Sequence, residues 1–213
     1  MITRYKDKLN IPKNVPAGDK EKFEKYVKKA YGVNKKFWKI DVAIKIKPVY
    51  SRADFDKRAG YKTKTWNCAF TSDQKIIVIF APSVFERLTS HKLSGYLQTL
   101  IHEMNHIFYM NFVGTCTPIW LFEGLAMNMD ELEDKKCSGQ INAAYLRYSF
   151  SKEDLKESDG DAKEFYRNSY LATRLLIKKR GIRAIMGFLK NYRKHRTKKT
   201  YDVLYKKLNS MIR

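Results

Sequence analysis

Apolar residues recur at helical spacing in Phe23, Tyr26, Val27, Ala30 and Tyr31, so the segment from Lys20 to Tyr31 has one apolar face and a charged remainder. Asp19 stands at the N-cap position and Gly32 at the stop, which bounds a first predicted helix. The stretch before it, Met1 to Gly18, carries Pro12, Pro16 and Gly18 and reads as a loose arm. The period then changes to two. Ile40, Val42, Ile44 and Ile46 alternate with Asp41, Ala43, Lys45 and Lys47, the pattern of a half-buried strand, and Pro48 ends it. After a loop containing Gly60, Lys62 to Phe70 and Ile76 to Phe80 read as the two strands of a hairpin joined around Thr71 to Lys75. A small, mostly antiparallel sheet is the expectation.

Beyond residue 92 the periodicity is helical. A helix over Leu93 to Asn111 gathers Leu97, Leu100, Ile101, Met104 and Phe108 on one side and His102, Glu103 and His106 on the other. Such a helix packs its apolar side inward and presents the other outward. A loop from Phe112 to Thr117 follows, and then a helix from Pro118 to about Glu133, with Thr117 as N-cap and Pro118 in the first position. Phe165, Tyr166, Ser169, Tyr170, Thr173 and Leu176 lie along a further helix closed by Gly181; Ile182 to Tyr192 and Tyr201 to Ile212 supply two more. The predicted class is α+β. An α/β lobe over 19–111 packs its sheet on the histidine-bearing helix, and a helical lobe over 112–213 follows, the two making one domain behind an arm of residues 1–18. A chain of 213 residues can bury the core this needs. Internal repeats and low-complexity segments are absent.

Composition alters this picture in two places. Hydrophobic residues at 44% and aromatics at 14% exclude a disordered chain despite the heavy charge. The net charge of +21 is uneven: Lys178 to Arg213 holds thirteen Lys and Arg against the single acid Asp202. Those C-terminal helices could meet an anionic partner such as nucleic acid or a polyanionic surface, with strong salt dependence, or could simply be a solvated face. Cys68, Cys116 and Cys137 form no Cys-x-x-Cys pair, so neither a zinc ribbon nor a disulfide framework is indicated, and free thiols are expected. No apolar run approaches the length of a membrane span, and the first twenty residues lack the apolar core of a signal peptide. A reducing cytoplasm fits these features; a secreted chain whose leader had been removed would read the same.

The candidate chemistry lies in residues 102 to 106, His-Glu-Met-Asn-His. Two histidines four apart share one helix face, where both imidazoles reach one ion, and the glutamate between them reaches a water on that ion. With 4 His in the chain, random order would produce this arrangement in roughly 0.3% of such sequences, so coincidence is a poor explanation. His102 and His106 are the predicted zinc ligands, for one ion per chain, and Glu103 the general base. Catalytic zinc needs a third protein ligand. A third histidine six residues after His106 would mark a metzincin, but Phe112 stands there and Tyr109 replaces the glycine. Glu123, one helix later, is the leading candidate, with Asp130, Glu131 and His91 as alternatives.

Ile101 to His106, followed by Pro118-Ile-Trp-Leu-Phe-Glu-Gly-Leu-Ala126, resembles the gluzincin metallopeptidases, and more narrowly the compact peptidase MA-like group. The resemblance implies a zinc-dependent protease, a hydrolase acting on polypeptide, with His102, His106 and Glu123 as ligands and Glu103 as base. The segment Tyr166-Arg-Asn-Ser-Tyr170-Leu171 resembles the one whose tyrosine stabilises the oxyanion, which implies that role for Tyr166, with Tyr170 the less favoured choice. Met127 stands where many gluzincins have an acid that orients a histidine, and Asp130 is the substitute to consider. The Gly-x-Met-x-Asn motif of aminopeptidases is absent, which favours an endopeptidase. The rival expectation is a basic nucleic-acid or polyanion-binding module whose zinc site is degenerate or structural.

Overall fold

A computed structural model of the protein describes residues 9–12, 15–129, 140–146 and 159–212. It is α+β and falls into two compact units, residues 1–111 and 112–213.

The described residues of the first unit form a four-stranded sheet and four α-helices. Helix α1 (Ala17–Trp38) runs past Gly32, contrary to the expected stop. Continuing buries Asn34 and Trp38 on the face already formed by Phe23, Val27, Ala30 and Tyr31, which offsets the ~1 kcal/mol cost of an internal glycine. The helix ends at Lys39 in the left-handed conformation. Asp19 lies inside its first turn, not at the cap, and its carboxylate accepts from the Ser83 amide at 2.9 Å and the Ser83 hydroxyl at 2.7 Å.

The strands are β1 (Leu9–Asn10), β2 (Ile44–Val49), β3 (Ala69–Ser72) and β4 (Ile76–Phe80), in the order β1-β2-β4-β3. β1 pairs with β2 and β2 with β4 in parallel; only β3 and β4 are antiparallel, so the expected mostly antiparallel sheet is corrected to a mixed one. The reason is a crossover. Helix α2 (Arg52–Ala59) occupies the predicted loop and leads from the end of β2 to β3, which starts at that same end of the sheet and carries the chain back, so that β4 runs beside β2 in the same direction. Ser51 caps α2 by accepting from the Asp54 amide, and Gly60 at φ 80° ends it. Pro48 lies within β2, not after it. The Lys45 amide donates toward β4, to Lys75, so by alternation the nitrogen of residue 48 faces the other edge, where β1 reaches only to Lys45. Leu9 and Asn10 thus belong to the sheet, not to a loose arm; residues 1–8 and 13–14 of that arm lie outside the described residues.

Helix α3 (Phe85–Leu88) leads to α4 (Tyr96–Val113). α4 packs on α1 through Trp38 against Tyr109 and Tyr31 against Phe108, and the Asn34 amide donates to the Ile101 carbonyl at 3.1 Å. The Tyr96 hydroxyl donates to the Phe80 carbonyl at the end of β4. The helix is thereby enclosed on most sides.

The described residues of the second unit are helical. α5 (Ile119–Asn128) is apolar apart from Glu123 and Asn128 and is buried from Ile119 to Ala126. Its N-cap is Pro118, following a cis peptide, and not Thr117, whose hydroxyl lies 3.0 Å from that of Tyr192. α6 (Asp159–Lys194) is broken at Gly181, where φ 73° and ψ 157° leave the helix, and α7 (Lys198–Ile212) completes the unit. Trp120 donates to the Tyr201 hydroxyl at 3.1 Å, and Tyr201 donates in turn to the Leu146 carbonyl, tying α5 to α7.

Candidate metal centre

The polar face of α4 is buried, where an outward-facing site was expected. Met104, Asn105, Ile107, Phe108 and Tyr109 are buried with it; Glu103 is 9% exposed, His106 4%, and only His102 is half-buried. The four-residue spacing brings the two imidazoles face to edge, with Nε2 of His106 3.0 Å from Nε2 of His102. Two nitrogens bound at 2.0–2.1 Å to one tetrahedral ion stand about 3.3 Å apart, close to this separation.

Glu123 is the one charged residue of α5 and is 2% exposed. His102, His106 and Glu123 each offer one ligand atom, and these atoms lie within 4.8 Å of one another, so the group could hold a metal ion. Two imidazoles and a carboxylate are a donor set suited to zinc. Of the other donors weighed as third ligand, only His91 is among the described residues. His91 turns its Nε2 to the Trp66 carbonyl at 2.8 Å, and Asp130 and Glu131 lie outside the described residues.

Glu123 is seated by glycine. A Cβ added to Gly124 would overlap the Thr173 hydroxyl and the Ser169 carbonyl of α6, so α5 and α6 approach more closely at this point than any other residue allows. Asn128 reinforces the contact by donating to the Gly124 carbonyl at 2.7 Å and to the Tyr170 carbonyl at 3.2 Å.

Glu103 has a partner that periodicity did not reveal. The Thr71 hydroxyl on β3 stands 2.8 Å from its Oε2 and 3.1 Å from its carbonyl oxygen. A lone threonine carries no motif, and its position in the sequence predicts a turn; only sheet order brings it here. Cys68, one residue before β3, lies with its Sγ 3.9 Å from the Thr99 hydroxyl, and burial pushes its thiol up to about 12, with the Glu103 carboxylate acting in the same direction. It stays protonated at neutral pH. Cys68 and Cys116 are free thiols; Cys137 lies outside the described residues.

Of the two tyrosines on α6, Tyr166 is half-buried with its ring 5.7 Å from that of Phe165. Tyr170 is buried, and its hydroxyl accepts from Arg174 Nη1 at 2.6 Å while the same guanidinium lies over its ring.

Among the described residues no helix is long and apolar enough to cross a membrane. No protein-family model, curated protein or solved structure matches this chain, so its chemistry is argued from the cluster itself.

Proposed function

We infer that the protein is a zinc-dependent peptidase of gluzincin type, acting within polypeptide chains. One observation carries the reading: a carboxylate that is 2% exposed, the one charged group on a mostly apolar helix, shares a 4.8 Å cluster with two imidazoles. Burying an ionised carboxylate costs several kcal/mol unless a cation compensates it, and an ion held by His102, His106 and Glu123 would do so. Bound zinc would lower the pKa of a water toward neutrality and polarise a carbonyl.

The chain's own groups do the rest. Glu103 takes the proton of the attacking water and passes it to the departing amine. With Thr71 on Oε2, its other oxygen is left to receive that proton. Tyr166 donates to the oxyanion, and Tyr170 is the alternative, since its hydroxyl accepts from Arg174 and keeps its own proton to give.

Metal analysis and hydrolysis of an unfolded protein substrate test the proposal together. The parent should hold about one zinc per chain, and His102→Ala or His106→Ala should remove it. Glu103→Gln should keep the zinc and lose hydrolysis, because an amide accepts no proton. Tyr166→Phe should keep zinc and lower kcat by roughly 10²-fold, the scale of one oxyanion donor. Full zinc in both histidine variants, or a Glu103→Gln protein as active as the parent, would overturn the reading.

A further inference from the structure

The second unit carries a basic surface that peptide cleavage does not use. Across the end of α6 and the start of α7 the chain reads Arg193-Lys194-His195-Arg196-Thr197-Lys198-Lys199, and all seven side chains are exposed. Arg183 and Lys190, also exposed, extend it along α6. At 100° per residue Arg183, Lys190 and Lys194 fall within about 40° of one another, a stripe about 16 Å long. Gly187, on the same face, has no side chain to hold a ligand away.

Among the described residues none of these cations belongs to an ion pair, and Asp202 is the one acid from Lys178 onward. Uncompensated charge of one sign is costly to gather and is relieved by a polyanion. The nature of that polyanion follows from what the surface lacks. The run 193–199 contains no apolar side chain, and of the apolar residues of α7 Tyr201, Leu204 and Leu208 are buried and Val203 alone is a large exposed one, too little apolar surface to anchor a lipid interface. The large aromatic side chains exposed among the described residues are Tyr50, Tyr61 and Trp66, all in the first unit, so no stacking platform for unpaired bases accompanies the charge. A row of cations suits regularly spaced phosphates, and the arginine forks can take two oxygens each.

We propose that residues 183–199 form a docking surface for the phosphate backbone of double-stranded nucleic acid, bound without sequence preference. A labelled 20-base-pair DNA duplex of arbitrary sequence is titrated with the full chain carrying Glu103→Gln, at several salt concentrations; this keeps the result independent of peptidase activity. The expected slope of log affinity against log salt is about −4, from four to five phosphate contacts. Converting Arg193, Lys194, Arg196, Lys198 and Lys199 to Gln should weaken binding by roughly 30-fold or more and flatten that slope. Converting Lys20, Lys22, Lys25, Lys29 and Lys36 of α1 instead, an equal loss of exposed charge, should change it by no more than about 3-fold. The smaller variant Arg183→Gln, Lys190→Gln, Lys194→Gln should fall between, and it stands in if circular dichroism shows the fivefold variant unfolded. Equal losses from the two fivefold variants would overturn the assignment. So would tighter binding to single-stranded DNA, heparin or phosphatidylserine vesicles than to the duplex at the same salt.

Discussion

A hydroxyl and a carboxylate 2.8 Å apart, Thr71 and Glu103, make a sharp test of how the proposed base is held. A hydrogen bond to a charged acceptor restricts the carboxylate to one orientation, and its loss leaves the group free to turn. Thr71→Val keeps the shape and removes the donor. It should leave zinc content and KM unchanged and lower kcat roughly 10-fold, a cost of about 1.4 kcal/mol in the transition state. Thr71→Ser should restore most of the rate, which separates orientation from packing. Unchanged kcat in the valine variant would show that Glu103 orients itself. At this scale His102, Glu103 and His106 were legible because one helix turn contains all three. Glu123 was legible as a candidate, and its burial beside the imidazoles was not, since the intervening loop can turn in many ways. Thr71 was invisible, because thirty-two positions separate it from its partner.

Among the elements, the seat of Glu123 depends on the approach of α5 to α6. Gly124→Ala places a methyl group where the Thr173 hydroxyl and the Ser169 carbonyl already lie, so the helices must separate. The expected cost is about 1–3 kcal/mol in denaturant unfolding, the usual range for overpacking. Zinc affinity, measured by competition with a chelator, should fall at the same time because Glu123 moves with its helix. A variant with parental stability and parental affinity would mean that α5 is not positioned by this contact. The elements also divide by legibility. The α4 and α6 patterns were read correctly in type because long amphipathic periods leave little choice. α2 was missed despite its Ser51 cap, because Phe55 is its one buried residue and gives no period to detect. Gly32 misled for the opposite reason: a local stop signal lost to the burial of Trp38.

On the scale of the whole molecule, Cys68, Tyr96 and Tyr201 give stability a common pH dependence. Burial raises the Cys68 thiol from 9.0 to about 12 and holds both phenols above their ordinary 10.0. Below about pH 9 folded and unfolded chains hold these protons alike. Above it the unfolded chain releases them and the folded one does not, so stability is fully present below pH 9 and is lost as pH rises toward 12. Thermal unfolding followed from pH 8 to 11 should show a falling midpoint, and Cys68→Ala should make the fall shallower. A flat profile would mean that these groups are solvated in the folded protein. Sequence by itself determined the local terms: helix periods, the spacing of two histidines around a glutamate, an apolar segment with one acid, and the concentration of positive charge after residue 178. These are set by neighbours within a few positions, where backbone geometry leaves few choices. The direction of β4 beside β2, the burial of α4 on its polar side, the threonine on Glu103 and the nearness of Glu123 to the imidazoles were decided only by tertiary structure. Each depends on contacts between residues far apart in the chain, and these are selected by the burial of the whole core.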